Sequence, residues 1–435
     1  MDLFTISSVV IVLAAIFGYV NVKFLKLPNT IGLMAISIFF TLIVFGSTLF
    51  TDRILNVALF VKQHIDLEKV LLDVLLGFLL FAGAMHTNFD QLRVQRWPVL
   101  VFSTLGVLCS TVICATAVYF IFQMIGLHPK YIHCLLFGAL ISPTDPIAVL
   151  GILRKANVPK GLETQIVGES LFNDGVGVVV FLTIMSVAMA GQGGEHVHDI
   201  AHSSGETTIG SVINLFGWEV LGGVVLGLGL GYGTFRLLKS IDDYEIEVMI
   251  TLACVMGGYS FAHGIHVSAP LAMVVAGLMV GNDTIRGTAM SDLTEQYVDK
   301  FWELVDMLLN AVLFVLIGLE LITLQYQRQY VIAALIAIVI VLASRFASLM
   351  IPVQILRKRL NFAPYTTTIL TWGGLRGGIS LALALGLPES MDRDLFLTVT
   401  YGVVVFSIIV QGLSVGKLAN RLLGQEDAGP RVSER

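Results

Sequence analysis

Residues 169–181 read ESLFNDGVGVVVF and place an acidic side chain, Asp174, where an apolar helix would cross a bilayer. A carboxylate at the centre of an isolated spanning helix costs on the order of 3 kcal/mol. An ionisable residue at that depth is therefore a functional hypothesis by default. Other residues of the chain must compensate for its charge or use it.

The composition of the whole chain is that of a polytopic membrane protein. Of 435 residues, 56% are hydrophobic and only 13% are charged, whereas soluble domains have roughly 25% charged residues. No soluble domain of ordinary size fits between the apolar stretches. We therefore expect an all-α fold with one transmembrane transporter domain over residues 1–425 and a short cytoplasmic tail at residues 426–435.

Thirteen apolar stretches are long enough to span, since a helix needs about 20 residues to cross the hydrocarbon core. The predicted spans are residues 5–22, 30–50, 70–88, 98–124, 131–152, 162–190, 212–238, 246–264, 268–282, 302–324, 330–354, 364–387 and 395–418. The chain start lacks the positive region of a cleavable signal, so the first span is predicted to be a retained helix.

The positive charges alternate across these spans. Of the 26 Lys and Arg residues, 18 fall on one side and 6 on the other, while Arg345 and Arg376 lie inside predicted spans. Because cytoplasmic loops are enriched in Lys and Arg, the pattern predicts an outside N-terminus and a cytoplasmic C-terminus. The expected location is the cell inner (plasma) membrane.

Two predicted spans are interrupted. In the fifth, Ser142-Pro143-Thr144-Asp145-Pro146 contains two prolines that remove backbone donors and disfavour helical geometry before them. In the twelfth, four glycines surround Arg376 at residues 373–378. The breaks are seven spans apart and so run in opposite directions, which predicts inverted repeats formed by helices 1–6 and 8–13.

Crossing of the two broken helices would bring half-helix ends together near the middle of the membrane. Half-helix N-termini carry partial positive charge and C-termini partial negative charge. Asp145 suits the first and Arg376 the second as dipole compensators. For Asp145, a role as cation ligand is an equal alternative.

The sixth span carries a polar face. Ser170 and Asp174 are spaced i,i+4, and Ser170 and Asn173 i,i+3, so their oxygen atoms lie on one side of the helix. Glu169 points elsewhere and needs its own partner. We predict that it pairs with the intramembrane Arg345, because a buried charge left alone is costly.

These motifs resemble those of the monovalent cation/proton antiporter family, which includes bacterial NhaP-type proteins and animal sodium/proton exchangers. The resemblance rests on residues 142–181, on the glycines around Arg376, and on Arg345. It implies that Asp174 holds the Na⁺, with Thr144, Asp145, Ser170 and Asn173 nearby. It also supports the pair of Glu169 and Arg345.

The same resemblance implies the domain organisation. A core domain, about residues 98–190 and 330–418, would move against a dimerisation or scaffold part, about residues 1–90 and 212–324. The chain would form a homodimer in membrane lipid and need no cofactor and no nucleic acid. One departure is clear, since many relatives have an acid near the end of the third helix, where this chain has Phe81-Ala82-Gly83-Ala84-Met85-His86.

The expected function is exchange of Na⁺, or also Li⁺, for H⁺ by alternating access. Burial disfavours the charged carboxylate and a bound cation favours it, so proton and cation compete for one group. With Asn173 rather than a second carboxylate beside Asp174, the resemblance favours electroneutral one-for-one exchange. K⁺/H⁺ exchange is an alternative.

Two other classes of membrane protein share some of these features. An intramembrane aspartyl protease would also need two membrane aspartates, which Asp145 and Asp174 would supply. The flanking prolines, Asn173 and the two intramembrane arginines argue against that reading. A passive cation channel is the remaining class.

Two further segments invite interpretation. Three histidines, His196, His198 and His202, lie in a glycine-rich stretch that is more typical of a solvated loop than of a metal site. Residues 291–303 alternate apolar and charged side chains, which predicts a helix lying on the membrane surface before the tenth span.

Overall fold

The structure is a computed structural model, and the described part of the chain is helical. It describes residues 3–47, 70–87, 89–145, 149, 153, 158–190, 209–321, 327–356 and 365–423. Within these ranges the only β-type contact is a single antiparallel bridge between Asp145 and Leu375. The predicted all-α fold is confirmed.

The first half of the chain contains eight described α-helices. They are α1 (Leu3–Val20), α2 (Asn29–Ser47), α3 (Leu76–Met85), α4 (Phe89–Val94), α5 (Arg96–Val101), α6 (Val107–Met124), α7 (Tyr131–Leu140) and α8 (Lys160–Ala190). Three short π-helical segments adjoin these helices, at Asn21–Leu25, Val70–Leu75 and Phe102–Gly106.

The second half contains ten more. They are α9 (Ile209–Leu238), α10 (Tyr244–Gly264), α11 (Ala269–Val280), α12 (Asp283–Ala289), α13 (Asp292–Leu321), α14 (Arg328–Leu356), α15 (Thr366–Gly373), α16 (Gly378–Leu385), α17 (Arg393–Phe406) and α18 (Gly412–Leu422). A π-helical segment, Ser407–Gln411, joins the last two.

Each predicted span coincides with helix in the described residues. Eight helical stretches are long and apolar enough to cross a membrane, and shorter apolar helices lie at the second, third, fifth and ninth spans. The length of the apolar stretches was therefore sufficient to predict where the spans lie. A helix is favoured there because it satisfies its own backbone hydrogen-bonding groups in lipid.

The two predicted breaks are present. Helix α7 ends at Leu140, and residues 141–145 are not helical. The twelfth span is divided into α15 and α16 by residues 374–377. The breaks meet where the Asp145 N–H donates to the Leu375 carbonyl at 2.7 Å. The inverted-repeat fold with discontinuous fifth and twelfth helices is thus confirmed.

Helix α8 lies beside this crossing. It packs against α7 and against both halves of the twelfth span, α15 and α16. A Cβ at Gly177 would lie 2.5 Å from Pro143 Cγ, so only glycine lets the broken segment approach the helix so closely. The polar residues of α8 are thereby held against the non-helical backbone of the break.

The segment before the tenth span differs from the prediction. Residues 292–321 form one continuous helix, α13, rather than a surface helix followed by a span. Trp302 is fully buried, its ring centroid lies 4.7 Å from that of Phe81, and its Nε1 donates to Thr251 Oγ1 at 3.0 Å. This anchoring of Trp302 between α3 and α10 fixes the end of the amphipathic stretch against the helix bundle, whereas Leu293 and Tyr297 earlier in the stretch are exposed.

Candidate ion-binding site

A polar cluster joins the break of the fifth span to helix α8. The Thr144 N–H, freed by the break, donates to Asn173 Oδ1 at 3.1 Å, and Asn173 Nδ2 donates to Thr144 Oγ1 at 2.8 Å. Thr144 Oγ1 also lies 2.7 Å from Ser170 Oγ. A buried backbone donor needs a partner, and the asparagine supplies it.

Asp174 lies next to this cluster and is only 5% exposed. The charged side chains that act on it are Asp145, Glu169 and Arg376. Burial away from water is the main reason that its negative charge is disfavoured, and the neighbouring acids Asp145 and Glu169 add to this effect. A group in this position gains from binding either a proton or a cation.

Glu169 and Arg345 form a bidentate ion pair. Arg345 Nη1 donates to Glu169 Oε1 at 2.9 Å and Nη2 to Oε2 at 2.6 Å, and both side chains are almost completely buried. The structure therefore brings together the two residues that the sequence analysis paired. Parallel N–H···O bonds of this kind are the strong, directional form of an ion pair.

The ion pair is not separate from the polar cluster. Asn173 Nδ2 also donates to Glu169 Oε1 at 2.7 Å. The sequence analysis turned Glu169 away from Asp174, but Glu169 and Asn173 are spaced i,i+4 and share a face. Asn173 is thus the link between Thr144 on one side and the Glu169–Arg345 pair on the other.

Arg376, from the break of the twelfth span, places its guanidinium at the C-terminal end of α7, the first half-helix of the fifth span. Its Nη1 donates to the carbonyls of Ser142 at 2.6 Å and Pro143 at 2.9 Å. These carbonyls lost their helical partners at the break, and the C-terminal end of a helix favours a cation. The guanidinium is 2% exposed, so these bonds compensate for its removal from water.

Asp145 lies at the N-terminal end of a half-helix, whereas Arg376 lies at a C-terminal end. A Cβ at Gly377 would be 2.9 Å from Asp145 Cβ and 3.0 Å from Oδ2, and Gly377 immediately precedes α16. The carboxylate therefore sits at the N-terminus of a half-helix, where negative charge is stabilised. This geometry supports the role as dipole compensator, and the role as cation ligand stays a prediction.

The sequence analysis gave no role to Asp306 on α13. Its Oδ1 accepts a hydrogen bond from Asn310 Nδ2 at 3.1 Å. The sequence feature that could have indicated this hydrogen bond is the i,i+4 spacing of Asp306 and Asn310, two polar residues in an apolar run. The histidines at 196, 198 and 202 lie outside the described residues.

Two crossed, broken helices with buried polar and charged side chains at their crossing are the arrangement of secondary transporters built from inverted repeats. The described part of the chain has this arrangement at residues 140–145 and 373–378. The fold and the site together define a transporter of this class.

The family model described as "Sodium/hydrogen exchanger, transmembrane" matches residues 11–421. The chain belongs to this family. It is 48% identical over 417 residues to the Na(+)/H(+) antiporter NhaP of Pseudomonas aeruginosa, covering 95% of each chain. It is 32% identical over 409 residues to the Na(+)/H(+) antiporter NhaH of Halobacillus dabanensis, covering 92% of this chain and 93% of that one.

A solved structure has the same fold. The sodium proton antiporter MjNhaP1 from Methanocaldococcus jannaschii aligns with a TM-score of 0.73 at 19% identity, covering 98% of this chain and 100% of that chain. The family model and the sequence relatives confirm the family resemblance inferred from the motifs. The chain is a transporter rather than a protease.

Proposed function

We propose that the chain exchanges Na⁺ for H⁺ across the membrane, with Asp174 as the group that binds one or the other. The observation that carries the proposal is the position of Asp174, buried beside the crossing of two broken helices and influenced by two other acids. The names of the two sequence relatives support Na⁺ as the exchanged cation.

The neighbouring charges support Asp174 as the exchanging group. Glu169 is neutralised by the bidentate contact with Arg345, and Arg376 is engaged by two carbonyls. Asp145 lies at a helix N-terminus that stabilises its charge. Asp174 is then the acid best placed to exchange a bound proton for a cation, while the other charged groups hold the two half-helices in position.

The oxygen atoms around Asp174 suit a small, hard cation. Carboxylate, hydroxyl and carbonyl oxygens are the ligands that such ions prefer. The hydroxyl oxygens of Ser170 and Thr144 lie 2.7 Å from each other, and Ser170 is one helical turn before Asp174 on α8. A bound cation would be coordinated by these oxygens, whereas a bound proton would neutralise the carboxylate without using them.

Exchange follows if the protein changes between outward and inward states only when Asp174 carries a proton or a cation. A bare carboxylate moving through the low-dielectric interior is costly, so the empty, charged form is held back. The core, about residues 98–190 and 330–418, contains every residue of the proposed site. It would move against the scaffold, about residues 1–90 and 212–324.

The assembly and orientation are part of the same proposal. The family resemblance supports a homodimer through the scaffold, embedded in lipid. The excess of Lys and Arg on one side supports a cytoplasmic C-terminus. Cross-linking between copies in native membranes tests the dimer, and labelling of terminal tags from either side tests the orientation.

The exchange itself is tested by proton flux in inverted membrane vesicles. Addition of Na⁺ or Li⁺ to vesicles acidified by respiration is expected to release protons, and K⁺ serves to test the alternative of K⁺/H⁺ exchange. Competition for one carboxylate also requires that a lower pH raises the Na⁺ concentration for half-maximal response. Absence of a response to all three cations, in folded protein, would remove the antiport proposal.

Electroneutral exchange is expected because Asn173, rather than a second carboxylate, accompanies Asp174. One Na⁺ replaces one H⁺ on the same group, so no net charge crosses the membrane. In proteoliposomes, a K⁺ diffusion potential set with valinomycin should leave the rate of Na⁺-driven proton flux unchanged. A rate that follows the sign of the potential would instead indicate a second titrating acid, for which Asp145 is the candidate.

A further inference from the structure

A buried hydrogen bond joins the proposed core to the proposed scaffold. The Tyr401 hydroxyl on α17 donates to the Ile317 carbonyl on α13 at 2.8 Å. Both residues are buried, so water does not compete for either group. Because α17 lies in the core and α13 in the scaffold, this bond crosses the boundary along which the two parts would move.

The acceptor is held within the scaffold. The Phe314 carbonyl, three residues before Ile317, accepts a hydrogen bond from Ser37 Oγ on α2 at 2.6 Å. The Gly318 carbonyl, one residue after Ile317, accepts one from Thr41 Oγ1 on α2 at 2.7 Å. A Cβ at Gly318 would collide with Ser37 Oγ, so the two helices are in close contact. These contacts fix the end of α13 to α2.

The donor is held within the core and is connected to the helix crossing. A Cβ at Gly402, next to Tyr401, would lie 2.8 Å from Ala334 Cβ, so α17 packs closely on α14. Ser407 Oγ, in the π-helical segment that continues α17, accepts a hydrogen bond from the Arg376 N–H at 2.9 Å. That N–H belongs to the break of the twelfth span. Tyr401 is therefore part of the same connected unit as the broken helices.

Two other close contacts across this boundary are apolar. Leu313 of α13 contacts the position where Gly378 would carry a Cβ, and Ile31 of α2 contacts that of Gly412. Apolar contacts are non-directional and can form again after a shift. A hydrogen bond is restricted to a narrow range of distance and angle, and a buried group that loses its partner destabilises the protein. The Tyr401 bond therefore favours the arrangement of core and scaffold in which it forms.

We propose that Tyr401 is a positioning residue for alternating access. Its hydroxyl holds the core, through the Ile317 carbonyl, in the state that the structure describes, and releases the core when it moves. The proposal rests on the exchange function proposed above. The net contribution of an ordinary hydrogen bond changes the ratio of two states by roughly two- to tenfold. The bond is thus strong enough to bias the equilibrium and weak enough to break in each transport cycle.

The test is the variant Tyr401→Phe, which removes the hydroxyl and keeps the ring. Na⁺-driven proton flux is measured in right-side-out and in inverted membrane vesicles, so that Na⁺ is added to one face of the protein or to the other. The apparent affinity at each face scales with the fraction of protein that is open to that face. The variant should therefore raise the apparent KM for Na⁺ on one face, by roughly two- to tenfold, and lower it on the other.

The matched control is Thr41→Val. It removes a buried hydroxyl-to-carbonyl hydrogen bond at the same end of α13, but this bond lies within the scaffold and does not cross the boundary. Both apparent KM values should stay close to those of wild type, even where the melting temperature falls. Tyr401→Leu is a second variant without the hydroxyl in case Tyr401→Phe does not fold.

The outcomes separate the two proposals. Wild-type protein that shows no Na⁺-driven proton flux would overturn both. Normal wild-type exchange, with the KM of Tyr401→Phe unchanged or shifted in the same direction on both faces, would overturn only the role of Tyr401. Opposite shifts of equal size in Thr41→Val would overturn it as well. A failure of both Tyr401 variants to fold would assign the hydroxyl to stability and also overturn that role.

Discussion

Replacement of Asp174 with Asn is expected to abolish cation-driven proton flux while leaving the protein folded. The amide has nearly the shape of the carboxyl group but can neither take up a proton nor balance a cation. Two unit charges about 4 Å apart attract by roughly 4 kcal/mol at an effective dielectric constant near 20. Loss of such an attraction corresponds to a fall in rate of at least about 100-fold.

The measurement is proton release from inverted vesicles containing equal amounts of wild-type or variant protein. Folding is checked by a single symmetrical peak in size-exclusion chromatography. Glu163→Gln is the matched control, because Glu163 is an acid on the same helix in its first turn, outside the site. It should keep wild-type flux.

If the Asp174→Asn variant is folded and keeps wild-type flux, another acid must bind the exchanged proton and cation. Asp145 would then be the first candidate, because its charge acts directly on Asp174. The corresponding change at Asp145 is expected to reduce flux for a different reason, since it removes the negative charge from the N-terminus of α16. A loss of stability together with flux distinguishes that effect from loss of a ligand.

The sequence predicted the membrane spans and the breaks because both depend on local chemistry. Apolar runs of sufficient length form helices in lipid irrespective of their neighbours. The prolines at 143 and 146 and the glycines around Arg376 interrupt helices for reasons present in the chain itself. The pairing of Glu169 with Arg345 was predictable by elimination, since few charged residues lie within the spans.

Contacts between helices were harder to predict. To predict the hydrogen bond from Asn173 to Glu169, one must know both the side-chain rotamers of α8 and how closely the broken segment approaches this helix. The burial of Trp302 within the long helix α13 depends on Phe81 and Thr251 from two other helices.

The Glu169–Arg345 pair is expected to be the largest single contributor to stability among the charged contacts of the site. Removal of one member of a buried ion pair typically costs about 3 to 5 kcal/mol, because the remaining charge stays buried without a partner. Glu169→Gln and Arg345→Met should therefore lower the melting temperature and the yield of folded protein. Intrinsic fluorescence of detergent-solubilised protein during heating measures the change.

A matched control is available at a more exposed ion pair. Arg286 lies 2.8 Å from Asp299, whose side chain is 36% exposed. Arg286 also donates to the carbonyls of Val280 and Met85, so it keeps partners when Asp299 is neutralised. Asp299→Asn should cost no more than about 1 kcal/mol.

Exchange of the two charges separates stability from transport. The double variant Glu169→Arg with Arg345→Glu restores an ion pair and should recover part of the lost stability in a double-mutant cycle. Transport should stay low, because the Asn173 amide would then face a guanidinium in place of the carboxylate that accepts its hydrogen bond at 2.7 Å. Single alanine variants that both fold and transport like wild type would contradict the structural role of the pair. Full recovery of transport in the double variant would show that the orientation of Asn173 does not depend on Glu169.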